Sequence, residues 1–374
     1  MSATEDAAAP GTPGEDFPVL GWDAIEFWVA NAKQAAHYYR SVFGFRLVGY
    51  AGPETGVRGL ASYVLQQGGV RFVLTSALRP DDPINHHQAL HGDGIHDVAF
   101  EVPDAGESFR LATDRGATPH LEPEVLEDEH GKVVVSAIRA YGDTIHSFVQ
   151  RDGYVGVHLP GYQPMDDGWA VPTRLSAIDH VVGNVELGKM DEWARFYERV
   201  LGFKEFRHFS DAEISTEYTA LMSKVLWDGV GRIKLPINEP AEGRKRSQIE
   251  EYLDFYRGPG VQHVALSTPD IVATVRHLRD NGIAFLGVPD EYYEDARRRV
   301  GKVDERWDDL QELGILVDRD DEGYLLQIFT EPVQDRPTLF YEIIQRHGAR
   351  GFGVGNFKAL FHAIERAQDR RGNL

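Results

Sequence analysis

The chain contains 374 residues, 42% of them hydrophobic, and its acidic residues outnumber its basic residues by 59 to 39, for a net charge of −20. This length favours two domains with substantial cores, and the negative charge argues against nucleic acid and anionic membranes as partners. Cysteine is absent, which excludes disulfides and thiolate chemistry and leaves His, Asp and Glu as ligands for any metal.

The N-terminal segment 1–16, MSATEDAAAPGTPGED, is made of small and acidic residues with interspersed Pro and Gly. It lacks the basic start and the apolar centre of a signal peptide. We therefore predict that residues 1–16 form a disordered tail and that the protein is cytoplasmic.

The remainder of the chain contains two copies of one pattern. Each copy has a strand-like stretch, an amphipathic stretch that ends in Gly-Phe, and a second strand that leads into a helix. The matching segments are AIEFWVAN and AIDHVVGN, HYYRSVFGF and RFYERVLGF, GIHDVAFEVPD and GVQHVALSTPD, and HSFVQR and EIIQR. A repeat of roughly 150 residues suits a duplicated domain. We predict domains at 17–151 and 173–374, joined by a Gly- and Pro-rich linker at 152–172.

Alignment of the two copies indicates where their chemistry differs. Three positions carry candidate metal ligands in the second copy only, with His180 opposite Phe27, His263 opposite Asp97, and Glu342 opposite Ser147. Taken singly, a histidine more often has another role, and Glu342 could pair with Arg336 or Arg346. Taken together, two imidazoles and one carboxylate are typical of the facial triad of non-haem Fe(II), and the same set can hold catalytic zinc.

Strand parity predicts the surroundings of Glu342, because residues i and i+2 of a strand share a face. Glu342 shares its face with Phe340, and Gln327 shares its face with Phe329. A carboxylate, an amide and two aromatic walls predict a pocket for an aromatic substrate beside a metal.

The same rule applies to the strand AIDHVVGN at 177–184. It places Ile178 and Val182 on the face of His180, with Asp179 on the opposite face. In the first copy, the matching segment AIEFWVAN predicts that the ring of Phe27 fills the corresponding pocket.

Two further segments are read from their local composition. HHQALH (86–91) carries histidines at helical spacings, but no acidic partner lies nearby in the sequence, and we predict a solvated loop. GFGVGNF (351–357) predicts a flexible hinge before a final helix, with Asn356 as its plausible N-cap.

From about Ser176 to its C-terminus the chain resembles the 4-hydroxyphenylpyruvate dioxygenase family. The resemblance rests on AIDHVVGNVELGKMDEWARFY, LPINEP, RSQIEEYLDFY, GVQHVAL, GILVDRDDEGYLLQIFTEPVQDRPTLFYEIIQRHG and GFGVGNFKALF, while the first half matches more weakly. It implies an α+β fold of two tandem domains, each of paired βαβββ modules of the vicinal oxygen chelate type, with a C-terminal lid helix.

The resemblance also implies that Fe(II) is held by His180, His263 and Glu342. The implied reaction converts 4-hydroxyphenylpyruvate and O2 to homogentisate and CO2 in tyrosine catabolism, and the family suggests a homodimer or homotetramer. The implied catalytic residues are Gln327, Phe329, Phe340 and Phe357. The implied substrate-binding residues are Ser223, Asn238, Gln248, Gln262 and Asn356, although parity places Gln262 on the opposite face from His263.

Three alternatives stay open on the sequence. A 4-hydroxymandelate synthase would share the fold, the ligands and the substrate but hydroxylate the benzylic carbon. An extradiol catechol dioxygenase would share a similar triad but not the segments QDRPT and GNFKALF. A metal-free protein of the same fold that binds an aromatic ligand would tolerate loss of the triad.

Overall fold

The computed structural model describes residues 17–166, 168, 170–209, 220–241 and 245–373. The predicted tail at 1–16 lies outside these residues. The described chain forms two mixed β-sheets with helices packed against them. No helix among the described residues is long and apolar enough to cross a membrane.

The first sheet is built by the first half of the chain, and its strands follow the order β6-β7-β8-β5-β1-β4-β3-β2-β9. In chain order these strands are β1 (Gly21–Trp28), β2 (Arg46–Ala51), β3 (Leu60–Gln67), β4 (Val70–Ala77), β5 (Gly94–Glu101), β6 (Pro119–Asp128), β7 (Gly131–Arg139), β8 (Ile145–Gln150) and β9 (Gln163–Pro164). The short strand β9 belongs to the segment 152–172 and pairs with β2, so this segment also extends the first sheet.

The second sheet is built by the second half, in the order β11-β12-β13-β10-β14-β17-β16-β15. Its strands are β10 (Ala177–Asn184), β11 (Lys204–Phe209), β12 (Ala220–Trp227), β13 (Lys234–Ala241), β14 (Gly260–Ser267), β15 (Leu316–Arg319), β16 (Tyr324–Phe329) and β17 (Phe340–His347). The three strands that carry the predicted metal ligands, β10, β14 and β17, are therefore neighbours at the centre of this sheet.

The helices connect these strands within each half. In chain order they are α1 (Ala32–Phe43), α2 (Pro83–His91), α3 (Ala105–Asp114), α4 (Met190–Leu201), α5 (Gln248–Tyr256), α6 (Ile271–Asp280), α7 (Asp290–Val300), α8 (Trp307–Leu313) and α9 (Phe357–Arg371). Short 3₁₀ turns occupy Pro53–Thr55 and Val354–Asn356.

Each half consists of two βαβββ modules. The first and last strands of every module pair in parallel, as in β1·β4, β5·β8, β10·β13 and β14·β17. The helix predicted after the second strand of each copy is present in both halves, where Asp104 accepts the backbone N–H of Glu107 and Asp270 accepts that of Ala273. The predicted α+β fold of paired modules is confirmed, with α7 and α8 added to the last module.

One hydrophobic core joins the two halves. Tyr39 and Phe43 of α1 pack against Tyr341 of β17, with 4.9 Å between the ring centroids of Phe43 and Tyr341. The hydroxyl groups of Tyr341 and Tyr39 are hydrogen-bonded at 2.7 Å. The opposite face of each sheet is left to line a cavity, which we call the first cup in the N-terminal half and the second cup in the C-terminal half.

The repeat is present, but the sequence match between AIEFWVAN and AIDHVVGN is displaced by three residues from the structural correspondence of β1 and β10. In β10·β14, His180 stands opposite Ala265, and in β1·β5 the matching partner, Ala99, stands opposite Ala24. His180 therefore corresponds to Ala24 and not to Phe27. The other two correspondences agree with the strand pairing, because β5·β8 and β14·β17 run in the same register.

A β-bulge explains why parity fails on β10. The pairing of β10 with β14 shifts between Ile178 and His180, and one residue, Asp179, is inserted there. An extra residue reverses the alternation of side chains. Ile178 consequently lies in the hydrophobic core, whereas His180 and Val182 line the second cup, so the predicted placement of Ile178 is wrong.

The predicted role of Phe27 is wrong for the same reason of register. Phe27 is 1% exposed and packs in the core on the helix-covered face of its sheet. The first cup is lined instead by Ala24, Glu26 and Trp28 of the same strand. An aromatic ring at position 27 therefore contributes to folding and not to filling the cup.

Candidate metal centre

Three side chains from the adjacent strands β10, β14 and β17 meet in the second cup. The Nε2 atom of His180 lies 3.1 Å from Oε2 of Glu342, and Nε2 of His263 lies 3.6 Å from the same oxygen. All three are buried, and their donor atoms lie within 4.8 Å of one another. The predicted triad is thus assembled by three strands that are distant in sequence.

The second nitrogen of each imidazole is held by a neighbouring side chain. Nδ1 of His180 donates to Asp179 at 2.7 Å, and Nδ1 of His263 donates to Oε1 of Gln262 at 3.0 Å. In a neutral ring, a proton on Nδ1 leaves the lone pair on Nε2. In the neutral form that a metal ion requires, both histidines direct an Nε2 lone pair toward Glu342, which is the orientation that outer partners give to metal ligands.

The protonation states also fit a metal site. Burial alone would raise the pKa of the Glu342 carboxyl, but the charge and hydrogen bond of His180, with a smaller effect of the nearby His263, lower it to about 2. Burial lowers the pKa of His263, which favours its neutral form. Nε2 of His263 is buried and has no hydrogen-bond partner among the described residues. Burial opposes the charge of His180, but Glu342 and Asp179 raise its pKa, so a proton on His180 pairs with Glu342 when no metal is bound. An ionised carboxylate beside the unpaired Nε2 of His263 fits a divalent metal ion, which would displace that proton.

Asp179 links this centre to buried cations. Its carboxylate accepts two hydrogen bonds from Arg346, at 2.7 and 2.9 Å, and lies 3.4 Å from Nζ of Lys234. Burial opposes ionisation, but the charge of Arg346 holds the pKa of Asp179 well below its usual range. Parity pointed Asp179 away from His180, whereas the bulge lets it contact both His180 and Arg346.

The first half contains the same ion pair without the metal ligands. Asp23, the residue inserted by the corresponding bulge of β1, accepts hydrogen bonds from Arg151 at 2.6 and 2.9 Å. We call these two pairs the Asp–Arg clamps. The repeated arginines of HSFVQR and EIIQR were the sequence signal for them, although the sequence did not identify their partners.

The second cup contains about 620 Å³ of space beside the triad, part of it open to solvent. It is lined by all but one of the remaining predicted site residues, namely Ser223, Asn238, Gln248, Gln262, Gln327, Phe329, Phe340 and Phe357. The ring of Phe340 stacks on His263, with 4.7 Å between centroids. Gln262 lines the cup although parity placed it on the opposite face, because a second register shift in the β10·β14 pairing inserts Gln262 between Val261 and His263.

Asn356 is the predicted site residue that does not line the second cup. It is 1% exposed, its Oδ1 accepts the hydroxyl of Tyr292 at 2.6 Å, and its Nδ2 donates to Oε1 of Gln327 at 3.3 Å. Helix α9 begins at Phe357, but the Asn356 side chain makes no capping hydrogen bond. Asn356 therefore supports Gln327 from behind the wall of the cup.

Several lining residues were not singled out from the sequence. Phe352 packs its ring 5.0 Å from that of His180, and Phe209 packs 5.1 Å from Phe357. Helix α9 contributes Leu360, Phe361 and Ile364 to the lining. Their spacing of i, i+1 and i+4 marks one apolar face of α9, which the sequence pattern also indicates, and this face lies where the resemblance implied a lid helix.

Models of the glyoxalase/bleomycin resistance protein/dioxygenase superfamily match residues 23–135 and 177–328. A 4-hydroxyphenylpyruvate dioxygenase of Danio rerio is 49% identical over 95% of this chain and 92% of its own length. One from Xenopus tropicalis is 48% identical over 95% of this chain and 93% of its own length.

Among solved structures, a mutant of 4-hydroxymandelate synthase from Streptomyces coelicolor superposes with a TM-score of 0.85. It is 34% identical, and the match covers 94% of this chain and 99% of that one. The fold, the buried triad and the full-length relatives agree with one another. The chain belongs to the 4-hydroxyphenylpyruvate dioxygenase family, within the glyoxalase/bleomycin resistance protein/dioxygenase superfamily.

Proposed function

We propose that this protein is an Fe(II)-dependent dioxygenase that converts 4-hydroxyphenylpyruvate and O2 to homogentisate and CO2. The observation that carries the proposal is the buried cluster of His180, His263 and Glu342 at the base of an aromatic-walled cup. The proposal is also supported by relatives that are named 4-hydroxyphenylpyruvate dioxygenase and match 95% of this chain. Bound iron would supply the redox chemistry that activates O2, which the side chains of a cysteine-free chain cannot provide.

The facial arrangement of the ligands leaves open positions for a 2-oxo acid and O2. We assign the flat walls of the cup, Phe329, Phe340 and Phe357, to holding the aromatic ring of the substrate. The polar residues that line the cup would orient the hydroxyl and 2-oxo acid groups of the substrate through hydrogen bonds. These residues are Ser223, Asn238, Gln248 and Gln327. Gln262 and Asp179 would keep the two imidazoles in the tautomer that directs Nε2 toward the metal.

Helix α9 would act as the lid of the cup. Its apolar residues Leu360, Phe361 and Ile364 face the cavity, and a closed apolar lid excludes water from a reactive oxidant. The turn before α9 bends at Gly353, whose φ of 74° lies in the left-handed region.

Gly353→Ala should raise the KM for 4-hydroxyphenylpyruvate. A Cβ at this position would lie 2.0 Å from Oε1 of Gln327, so the amide must leave its place in the cup, in addition to a backbone penalty of about 1 kcal/mol for alanine at positive φ. Steady-state kinetics would measure the change.

Gly372→Ala is the matched control, because Gly372 has a φ of 72° at the other end of α9 and an added Cβ would meet nothing within 4 Å. It shares the backbone penalty without the clash. An equal effect of both substitutions on KM would contradict a positioning role for Gln327.

Product analysis tests the reaction itself. The Fe(II)-loaded protein should consume O2 and release CO2 in equal amounts from 4-hydroxyphenylpyruvate, and the aromatic product should be homogentisate. The similarity to a 4-hydroxymandelate synthase structure makes 4-hydroxymandelate the alternative product. Chromatography with both standards distinguishes them, and formation of 4-hydroxymandelate would reject the proposed reaction while leaving the triad assignment intact.

We also propose that the protein is a homodimer or homotetramer. The support is the edge strand β6 of the first sheet, which is exposed along most of its length and presents Leu121 and Val125, with Val125 60% exposed. Unpaired strand edges and exposed apolar residues favour association. Light scattering during size-exclusion chromatography would give the mass, and a monomer at micromolar concentration would reject this proposal.

A further inference from the structure

A second cluster of histidines and one carboxylate lies outside the second cup. The segment HHQALH is not the predicted solvated loop, because it forms the end of α2, with His87 and His91 on one buried face. Their spacing of i and i+4 places both rings on the same side of the helix. The acidic partner that the neighbouring sequence lacks is Asp143, which reaches them from the turn between β7 and β8.

The geometry of this cluster repeats that of the triad. Nε2 of His91 lies 3.1 Å from Oδ2 of Asp143, and Nδ1 of His87 lies 3.4 Å from the same oxygen. The corresponding distances in the triad are 3.1 and 3.6 Å. In both clusters, two imidazole nitrogens surround one carboxylate oxygen at the separations expected of ligands around one small cation, each about 2.0–2.2 Å from it.

The hydrogen bonds of His91 require a proton or a metal ion between its Nε2 and Asp143. Its Nδ1 donates to the backbone oxygen of Tyr256, which can only accept. In the neutral ring, Nε2 then carries a lone pair, and this lone pair points at an oxygen of Asp143. Two acceptors at 3.1 Å repel one another unless a proton or a metal ion lies between them.

His87 favours the metal over the proton. This ring is 1% exposed and faces Asp143 through Nδ1, whereas its Nε2 points away from Asp143 and has no hydrogen-bond partner among the described residues with either occupant. One proton placed between His91 and Asp143 would leave His87 with its single contact at 3.4 Å, longer than a good hydrogen bond. A metal ion would bind His87, His91 and Asp143 together.

We propose that His87, His91 and Asp143 form a second metal site, which takes a divalent first-row transition ion, with zinc as its occupant. Two imidazoles and one carboxylate are zinc ligands. The side chain of Asp143 is 44% exposed, so water can complete the coordination. His87 and His91 line neither the first nor the second cup, and we assign the site a structural role.

The position of the site indicates what it stabilises. Helix α2 and Asp143 belong to the first half, whereas Tyr256 ends α5 of the second half and stacks its ring 4.3 Å from that of His91. Zinc bound to His91 would fix this ring against Tyr256. The ion would therefore hold α2 to the β7–β8 turn and strengthen the contact between the halves.

Zinc binding can be measured in a full-length variant whose triad is removed, His180→Ala/Glu342→Ala. Equilibrium dialysis with zinc followed by elemental analysis should find one zinc per chain in this variant. Adding Asp143→Ala should weaken that binding by more than the roughly 10–100-fold that loss of an outer-sphere partner costs. Adding His86→Ala is the matched control, because His86 neighbours the site on α2 but is exposed, and it should change nothing.

A second measurement guards against a misfolded variant. Zinc should raise the melting temperature of the triad-free variant, as binding to the folded state requires, and should not raise it after Asp143→Asn, which keeps the side-chain shape. In wild-type protein loaded with Fe(II), elemental analysis should find one zinc in addition to iron. Absence of zinc from both proteins would reject the site and identify the cluster as a protonated His91 paired with Asp143. Neither result depends on the proposed dioxygenase reaction.

Discussion

Glu342→Ala should abolish iron binding at the triad and activity while the fold survives. The Glu342 carboxylate is the group that both imidazoles face, at 3.1 and 3.6 Å, and without it only two neutral ligands remain. We expect a loss in kcat/KM well beyond the roughly 10–100-fold caused by loss of an outer-sphere partner. Elemental analysis of the purified variant and oxygen-electrode kinetics would measure the two effects.

Ser147→Ala is the matched control for this substitution. Ser147 occupies on β8 the place that Glu342 occupies on β17, and it lines the first cup. Its removal should leave metal content and activity unchanged. Full iron content in Glu342→Ala would contradict the assignment of this carboxylate as a ligand.

Asp179→Ala should be strongly destabilising and should also weaken metal binding. The substitution leaves the buried cations Arg346 and Lys234 without their shared carboxylate, and removing one partner of a buried ion pair costs about 3–5 kcal/mol of unfolding free energy. It also releases Nδ1 of His180, which should lower metal affinity by roughly 10–100-fold. Urea unfolding of the metal-free protein and metal titration measure these two losses separately.

Asp23→Ala is the control that separates the effect on stability from the effect on metal affinity. Asp23 forms the equivalent clamp with Arg151 in the first half, so a similar loss of stability is expected with no change in metal affinity per folded molecule. An equal loss of metal affinity in both variants would show that Asp179 acts only through stability.

Both clamps should contribute less at low pH. Burial opposes the charge of each aspartate, but the arginine partners lower both pKa values. A lowered folded-state pKa gives stability that is present above the ordinary value of 3.8 and is lost as pH falls through the folded-state value. Unfolding free energies measured from pH 6 downward should converge with those of the alanine variants in acid.

The fold and the triad could be predicted from the sequence because the matching segments of the two halves are still recognisable as a repeat. Paired landmarks at His263 and Glu342 fixed two ligand positions, and the composition of the ligand set indicated the chemistry. The register of β10 could not be predicted, because the bulge at Asp179 reverses parity without any marker such as glycine. A short echo of strand-forming residues then matched His180 to the wrong residue of β1.

Contacts between distant segments were the other limit. Asp143 is 52 positions from His91, and local sequence gave no reason to bring them together. Asn356 carried a residue type suited to the cup, but the 3₁₀ turn before α9 directs its side chain toward Tyr292 and Gln327. Both errors arise from tertiary placement and not from residue chemistry.

The Asp–Arg clamp is present in both halves, whereas the triad of His180, His263 and Glu342 has its counterpart residues Ala24, Asp97 and Ser147 in the first half. In a duplicated gene this means that the bulge and its ion pair were inherited as the scaffold, while the residue beside them was free to diverge into Ala24 or His180. The bulge aims that residue into the cup in either half. For protein engineering, the first cup therefore already offers three aligned positions, Ala24, Asp97 and Ser147, at which a second facial triad could be introduced.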